Sequence, residues 1–288
     1  MRRARGSARP YRASACSAFP ADMRVEGKTV VVTGAGHGMG AALAERFLEE
    51  GARTVVLSDI DEDRLAGVAD RLGQPFRRCD VSDPADYDGL LEWVECDIGG
   101  IDLLCNHPAV IQGPEGGNLQ TTDETLDRSW AINVLPHIRS ARFLVPRMLE
   151  RGGGYFLQTL TAGALVTLTS PLSYATTKAA ALGFAEWLAL NYRDRGIRVS
   201  CLCPTRVDID PGDQPIPDGA LTLEQVVDST IEGLAEERFL ILPNPRVGRL
   251  FLRKAEDYDA YLDRSAGRIA GSKPPGPWDD RFPPAPPS

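Results

Sequence analysis

No apolar run in the 288 residues approaches the roughly 18 to 20 that a membrane span needs, and the first residues lack the apolar core of a secretory signal. A cytoplasmic protein is therefore expected, with no membrane partner. Histidine is scarce: His37, His107 and His137 stand far apart, so no metal site is assigned. C-x-x-C spacing is also missing from the six cysteines (Cys16, Cys79, Cys96, Cys105, Cys201, Cys203), which read as reduced thiols rather than bridges. Cys201 and Cys203, two apart in a strand-like run, share one face and read as small core residues. A basic excess is lacking too. Residues 1–22 hold five arginines against Asp22 and carry +4, so the rest carries −12 of the net −8, and an acidic body argues against a nucleic-acid surface. At 43% hydrophobic and 25% charged, the composition suits a globular enzyme or binding protein of one large domain or two small ones.

Four segments differ in composition. Residues 1–23 are rich in Arg, Ser and Ala, as an organelle transit peptide is, yet Pro10 and Pro20 interrupt the helix that import needs. They are read as a disordered extension from an early start, with Met23 the working one. Residues 24–245 alternate strand-like runs with helical patterns. The strands are expected at Lys28–Thr33, Arg53–Asp59, Pro75–Asp80, Ile101–Asn106, Gly154–Leu160, Ile197–Pro204 and Arg238–Pro243. Helices are expected over Met39–Glu50, Ala85–Asp97, Leu126–Arg151, Ser173–Arg195 and Thr222–Glu237. Strands this apolar are expected to be buried on both faces of a parallel sheet, which makes a doubly wound α/β domain. Residues 246–270 form a charged helical segment, and the proline-dense 271–288 is read as a disordered tail.

The stretch "VVVTGAGHGMGAALAERF", Val30 to Phe47, puts glycines between a β-branched run and an amphipathic helix pattern. A strand, a glycine turn and a helix bring free N–H groups and the positive helix end to one point, which suits a pyrophosphate. Without Cβ atoms, Gly34, Gly38 and Gly40 let the backbone approach the ligand and let helix and strand pack closely, with Met39 beside them. The second strand ends in Asp59, where a carboxylate would accept bonds from ribose hydroxyls and repel a 2'-phosphate; NAD is favoured over NADP. Asp59 has a structural alternative as a helix cap, which Asp61 would serve instead.

The spacing T-G-x-x-x-G-x-G at Thr33, Gly34, Gly38 and Gly40, with "YATTK" at Tyr174 to Lys178, resembles the classical short-chain dehydrogenase/reductase family over about Val25 to Pro243. The resemblance implies a single Rossmann-type domain with about seven strands and an NAD(P)(H) cofactor. It also implies homodimers or homotetramers formed through the helices at Leu126–Arg151 and Ser173–Arg195. Carried over by motif, the catalytic group is Asn133, Thr161 (where the family has serine), Tyr174 and Lys178, with Asn133 inheriting a water that links the lysine to solvent. Asp80 matches the adenine-contacting aspartate. Gly34, Gly38, Met39, Gly40, Asp59, Asp80, Val81, Asn106, Tyr174, Lys178 and Pro204 form the expected cofactor set.

The chemistry also follows from the residues. Tyr174 and Lys178 lie one helical turn apart, an ammonium beside a phenol stabilises phenolate, and the positive nicotinamide of NAD+ adds to this, lowering the tyrosine pKa toward working pH. Such a phenolate takes the proton of an alcohol while hydride leaves for a nicotinamide.

Two stretches depart from the family pattern. "NHPA", Asn106 to Ala109, stands where N-N-A-G is usual, and the loop beside the cofactor is expected to bond differently. After Pro204, either Thr205 or Asp208 takes the place of the usual threonine at the nicotinamide amide. A sensor or scaffold that binds dinucleotide without turnover is the competing reading, as is an NADP-linked reductase. The apolar "ALVTLTSPLS" before Tyr174 and the mixed "TRVDIDPGDQPIPDGALTLEQ" after Pro204 point to a neutral or partly apolar small molecule.

Overall fold

Val30, Val31 and Val32 have no exposed surface, and burial on alternating sides of one strand requires cover on both faces of a sheet. In the computed structural model they sit in the first of seven parallel strands. The structure describes residues 24–107, 109–113, 119–167, 171–209 and 219–270, the last four as backbone only. The extension at 1–23, the tail at 271–288 and Pro108 lie outside the described residues.

The chain begins with β1 (Thr29–Thr33), α1 (Gly38–Glu49), β2 (Thr54–Asp59), α2 (Glu62–Leu72), β3 (Phe76–Arg78), α3 (Pro84–Trp93) and β4 (Leu103–Asn106). Next come α4 (Asp123–Asn133), α5 (Leu135–Glu150), β5 (Gly154–Thr159), α6 (Ala162–Val166), α7 (Leu172–Tyr192) and β6 (Ile197–Leu202). A small pair, β7 (Val207–Asp208) and β8 (Leu221–Thr222), precedes α8 (Leu223–Ala235), β9 (Leu240–Ile241), α9 (Pro245–Glu256) and α10 (Tyr258–Ala270). The main sheet runs β3-β2-β1-β4-β5-β6-β9, all parallel. Its order reverses between β1 and β4.

Alternate residues feed two cores. Val31, Val56, Leu104 and Phe156 pack on one face, while Val30, Leu57, Leu103 and Leu157 pack on the other. Cys201 and Cys203 are buried together in the first core, as their spacing predicts. Each core side chain removed from water contributes roughly 1.5–3 kcal/mol, and the helices supply the cover that makes this possible. Local signals set the helix starts: Asp61 caps α2, Asp83 caps α3, and Thr222 with Gln225 forms a capping box on α8.

Two expectations fail for identifiable reasons. β3 lies at the sheet edge and leaves Phe76 and Arg78 exposed instead of buried on both faces; edge arginines also discourage pairing with another chain. The helix expected over Leu126–Arg151 divides at Val134, whose φ of −124° leaves the helical range. Pro136 has no N–H to give Ile132, and its ring would strike that carbonyl, so α5 restarts with proline in its first turn.

Candidate active site

The turn between β1 and α1 is left-handed at Gly34 (φ 71°) and Gly38 (φ 54°), where side chains are strained. A Cβ on Gly40 would lie 2.0 Å from the Gly34 carbonyl oxygen, so helix and turn touch only because none is present. The turn is anchored to β2: Ala35 N donates to Ser58 O at 2.9 Å, and Gly36 N donates to Asp59 Oδ2 at 2.9 Å. Asp59 Oδ1 accepts from Asp61 N at 3.1 Å, which fixes the carboxylate beside the turn, while the cap of α2 falls to Asp61. His37, at the start of α1, makes no side-chain cap bond, and the first-turn amides remain available to an anion.

Above this turn lies a cleft of about 540 Å³ at the carboxyl ends of the strands, where the strand order reverses. Gly34, Gly38, Met39, Asp59, Asp80 and Val81 line its β1–β3 side. Thr161, Tyr174, Lys178 and Pro204 line the β5–β6 side. Asp80 accepts from Ser82 N at 2.9 Å and from Ser82 Oγ at 2.7 Å. Burial pushes its pKa up, but these bonds outweigh that and hold Asp80 below the usual carboxylate range.

Lys178 is wholly buried and its Nζ donates to the Thr159 carbonyl at 2.8 Å. Burial brings its pKa down to about 8. The ammonium stands 5.8 Å from the centroid of the Tyr174 ring. The lowering expected for Tyr174 includes the charge of bound NAD+; in the free protein the balance runs the other way. Burial raises Tyr174 above its ordinary value, a bond with the Thr161 side chain opposes the rise, and the nearby Cys203 thiol adds to it. The Lys178 ammonium is turned to a backbone oxygen, and desolvation is the largest cause acting on the phenol. Thr161 also caps α6, its Oγ1 accepting from Gly163 N at 3.3 Å.

Three of the expected residues stand behind the cleft instead of on its surface. Asn133 Oδ1 accepts from Val110 N at 2.8 Å, and its Nδ2 donates to Val110 O and Thr177 Oγ1 at 3.0 Å each. This side chain ties the loop after β4 to α7. Asn106 accepts from the Tyr87 hydroxyl and donates to Ser140 Oγ at 2.9 Å, so it joins sheet to helices and its side chain does not reach the cofactor side. Gly40 lets α1 meet the turn at Gly34 and leaves room for the His107 ring, 3.1 Å from where a Gly40 Cβ would be.

Other residues enter the cleft that the motifs did not name. His107 N donates to Thr33 Oγ1 at 3.2 Å, and its ring Nδ1 is 3.0 Å from Thr159 Oγ1, so the altered loop is tied to both β1 and β5. Burial holds this imidazole neutral, with its pKa down to about 4. Val110, Ile111, Ile132, Val207 and Ile209 give the cleft an apolar wall. For Val110 and Ile111 after β4, and Val207 and Ile209 after β6, the signal was positional, since open α/β sheets bind ligands beyond their strand ends; Ile132 comes from α4 and carried no such signal. Thr205 is buried in the lining with a hydroxyl that has no partner among the described residues, whereas Asp208 lies outside the lining.

Known proteins resemble this arrangement. The family described as short chain dehydrogenase matches residues 28–215. The 1-deoxy-11-beta-hydroxypentalenate dehydrogenase of Streptomyces exfoliatus is 33% identical over 275 residues, covering 91% of this chain and 96% of the relative. A short chain dehydrogenase/reductase from Burkholderia phymatum, solved in complex with NAD, superposes with a TM-score of 0.74 at 25% identity, over 89% of this chain and 99% of the other. One from Burkholderia cenocepacia, solved in complex with NADP, gives 0.73 at 24% identity, over 84% and 99%.

Proposed function

The chain belongs to the short-chain dehydrogenase family of oxidoreductases, and from that premise we propose that it interconverts a secondary alcohol and a ketone with NAD(H), using Tyr174 as general acid and base. The observation that carries this reading is the convergence of Thr161, Tyr174 and Lys178 in one cleft with the glycine turn and Asp59.

The residues fit a dinucleotide. Gly34 and Gly38 with the α1 amides would hold the pyrophosphate, Asp59 the adenosine ribose, and Asp80 with Val81 the adenine end. Thr205 would meet the nicotinamide amide, since its hydroxyl is buried in the lining without a partner among the described residues and Asp208 is outside it. When bound, the nicotinamide supplies the hydride acceptor or donor. Thr161 would bond the substrate oxygen, and Tyr174 would take or return its proton. Lys178 presents a positive charge below the phenol and would reach a cofactor ribose. Asn133 acts indirectly by holding the Val110 loop and α7 together.

A raised Tyr174 pKa has a direction: the phenol is the ready form at neutral pH and serves carbonyl reduction, while alcohol oxidation gains as pH rises. The apolar wall of Val110, Ile111, Ile132 and Ile209 favours a neutral or partly apolar substrate. Trp130, Trp187 and Leu190 are exposed on α4 and α7, which supports assembly of two or four copies through those helices. Among the described residues no helix is long and apolar enough to cross a membrane.

Nicotinamide fluorescence titration followed by turnover on a panel of secondary alcohols, 1-deoxy-11-beta-hydroxypentalenate included, tests the reading. NAD should bind more tightly than NADP, and Tyr174→Phe should retain NAD binding while losing nearly all turnover. Undiminished turnover in Tyr174→Phe would remove the phenol from the chemistry.

A further inference from the structure

We propose that Lys254 of α9 and Tyr261 of α10 are positioning residues: they grip the carbonyl end of α6 and thereby hold Thr161 against Tyr174. This rests on the oxidoreductase reading above for its bearing on catalysis, but not for the contact itself.

α6 has only five residues, too few to be stable unaided, and a helix end leaves carbonyls without intrahelical partners. Lys254 Nζ donates to Leu165 O at 2.8 Å and to Thr167 Oγ1 at 3.4 Å. The Tyr261 hydroxyl donates to Val166 O. Both side chains are only 8% exposed. Among the described residues Lys254 forms no ion pair; its charge is met by carbonyl and hydroxyl oxygens, with the Tyr258 and Tyr261 rings at 5.1 and 5.9 Å. A buried ammonium answered only by neutral oxygens costs folding free energy, and an apolar side chain would fill the place with less penalty. The strained residue sits at the same spot. Thr167, β-branched and not glycine, holds φ 38°, a conformation that persists only where its surroundings over-determine it.

The other end of α6 reaches the chemistry. Thr161 caps it through Gly163 N, Ala162 N donates to Pro204 O at 2.9 Å, and Thr161 lines the same cleft as Tyr174, whose raised pKa its hydroxyl opposes. The grip at residues 165–167 is therefore transmitted through one short helix to the hydroxyl beside the phenol. The dinucleotide turn follows β1, which β4 separates from β5 in the sheet, so the glycine turn itself makes no part of this grip.

Hydrogen exchange and kinetics on Lys254→Met and Tyr261→Phe test this. The loss of a hydrogen bond from a charged donor should speed amide exchange in 162–167 at least about tenfold, with residues 29–49 unchanged. NAD affinity should change less than about twofold, while kcat/KM for the alcohol falls about tenfold. The pH profile of oxidation should move to higher pH, because a loosened Thr161 no longer opposes the raised tyrosine. Lys178, Cys203 and His107, the titratable groups around Tyr174, are untouched by either substitution. Lys254→Arg, which keeps a donor, should restore part of each loss. Unchanged exchange in 162–167 would overturn the proposal, as would loss of protection and of NAD binding spread evenly across the chain. A wild-type chain without turnover would sink the oxidoreductase reading alone, since the exchange measurement decides the grip either way.

Discussion

Asp59 does two jobs with one carboxylate. Its oxygens accept from Gly36 N and Asp61 N, and it still borders the cleft where a ribose would lie. Gly36 makes room for this, since a Cβ there would come within 3.0 Å of the Asp59 carboxyl carbon. A fixed negative charge beside a ribose disfavours a 2'-phosphate by repulsion and by leaving the phosphate unpaired. Replacing Asp59 with Asn keeps the shape and removes the charge, although the amide nitrogen can no longer accept one of the two backbone bonds. The ratio of NADP to NAD affinity should rise about tenfold, near 1.4 kcal/mol, in Asp59→Asn by fluorescence titration. An unchanged ratio would show that discrimination lies elsewhere in the cleft.

At the scale of the element, the contact between β1 and α1 depends on one missing methyl. Gly40→Ala would set a Cβ 2.0 Å from a backbone oxygen, so the turn itself must move. Gly67, exposed within α2, has nothing within 4 Å of the equivalent position. Denaturation should find Gly67→Ala more stable by about 0.5–1 kcal/mol, and Gly40→Ala less stable with dinucleotide binding weakened at least about tenfold. The same contrast explains what a sequence reader can see. Gly34, Gly38, Asp59, Tyr174 and Lys178 were legible because backbone approach and helical spacing leave fixed intervals in the chain. The interruption at Val134 was legible in principle from Pro136, and was missed because the apolar pattern continues across it. Asn133 and Asn106 looked like site residues, yet their bonds go to Val110, Thr177, Tyr87 and Ser140, partners that only the assembled sheet brings near. The contribution of α9 and α10 was illegible, because Lys254 reads as one more charge in a charged segment until α6 is seen beneath it.

Across the whole molecule, the acid limit of stability should be governed partly by groups that resist protonation. His137 is 2% exposed, its Nδ1 has no partner among the described residues, and burial brings its pKa down to about 3. In the unfolded chain the same imidazole titrates near its ordinary value of about 6.5. Above that pH neither state is protonated and the titration of His137 contributes nothing to stability. Between the two values the unfolded state binds a proton that the folded state refuses, so stability is lost as pH falls toward the folded pKa. One proton corresponds to about 1.4 kcal/mol per pH unit. Carboxylates add to the acid slope in an acidic chain of net charge −8, so the informative quantity is a difference between two proteins that share them. His137→Leu removes the titrating group and keeps an apolar side chain of similar size in the core. Urea denaturation from pH 7 to pH 4 should give the wild type a steeper decline than His137→Leu by about 1.4 kcal/mol per unit below pH 6. Parallel declines would mean that the buried ring is protonated in the folded protein, and the region between α5 and Lys178 would then have to admit a charge that its packing denies.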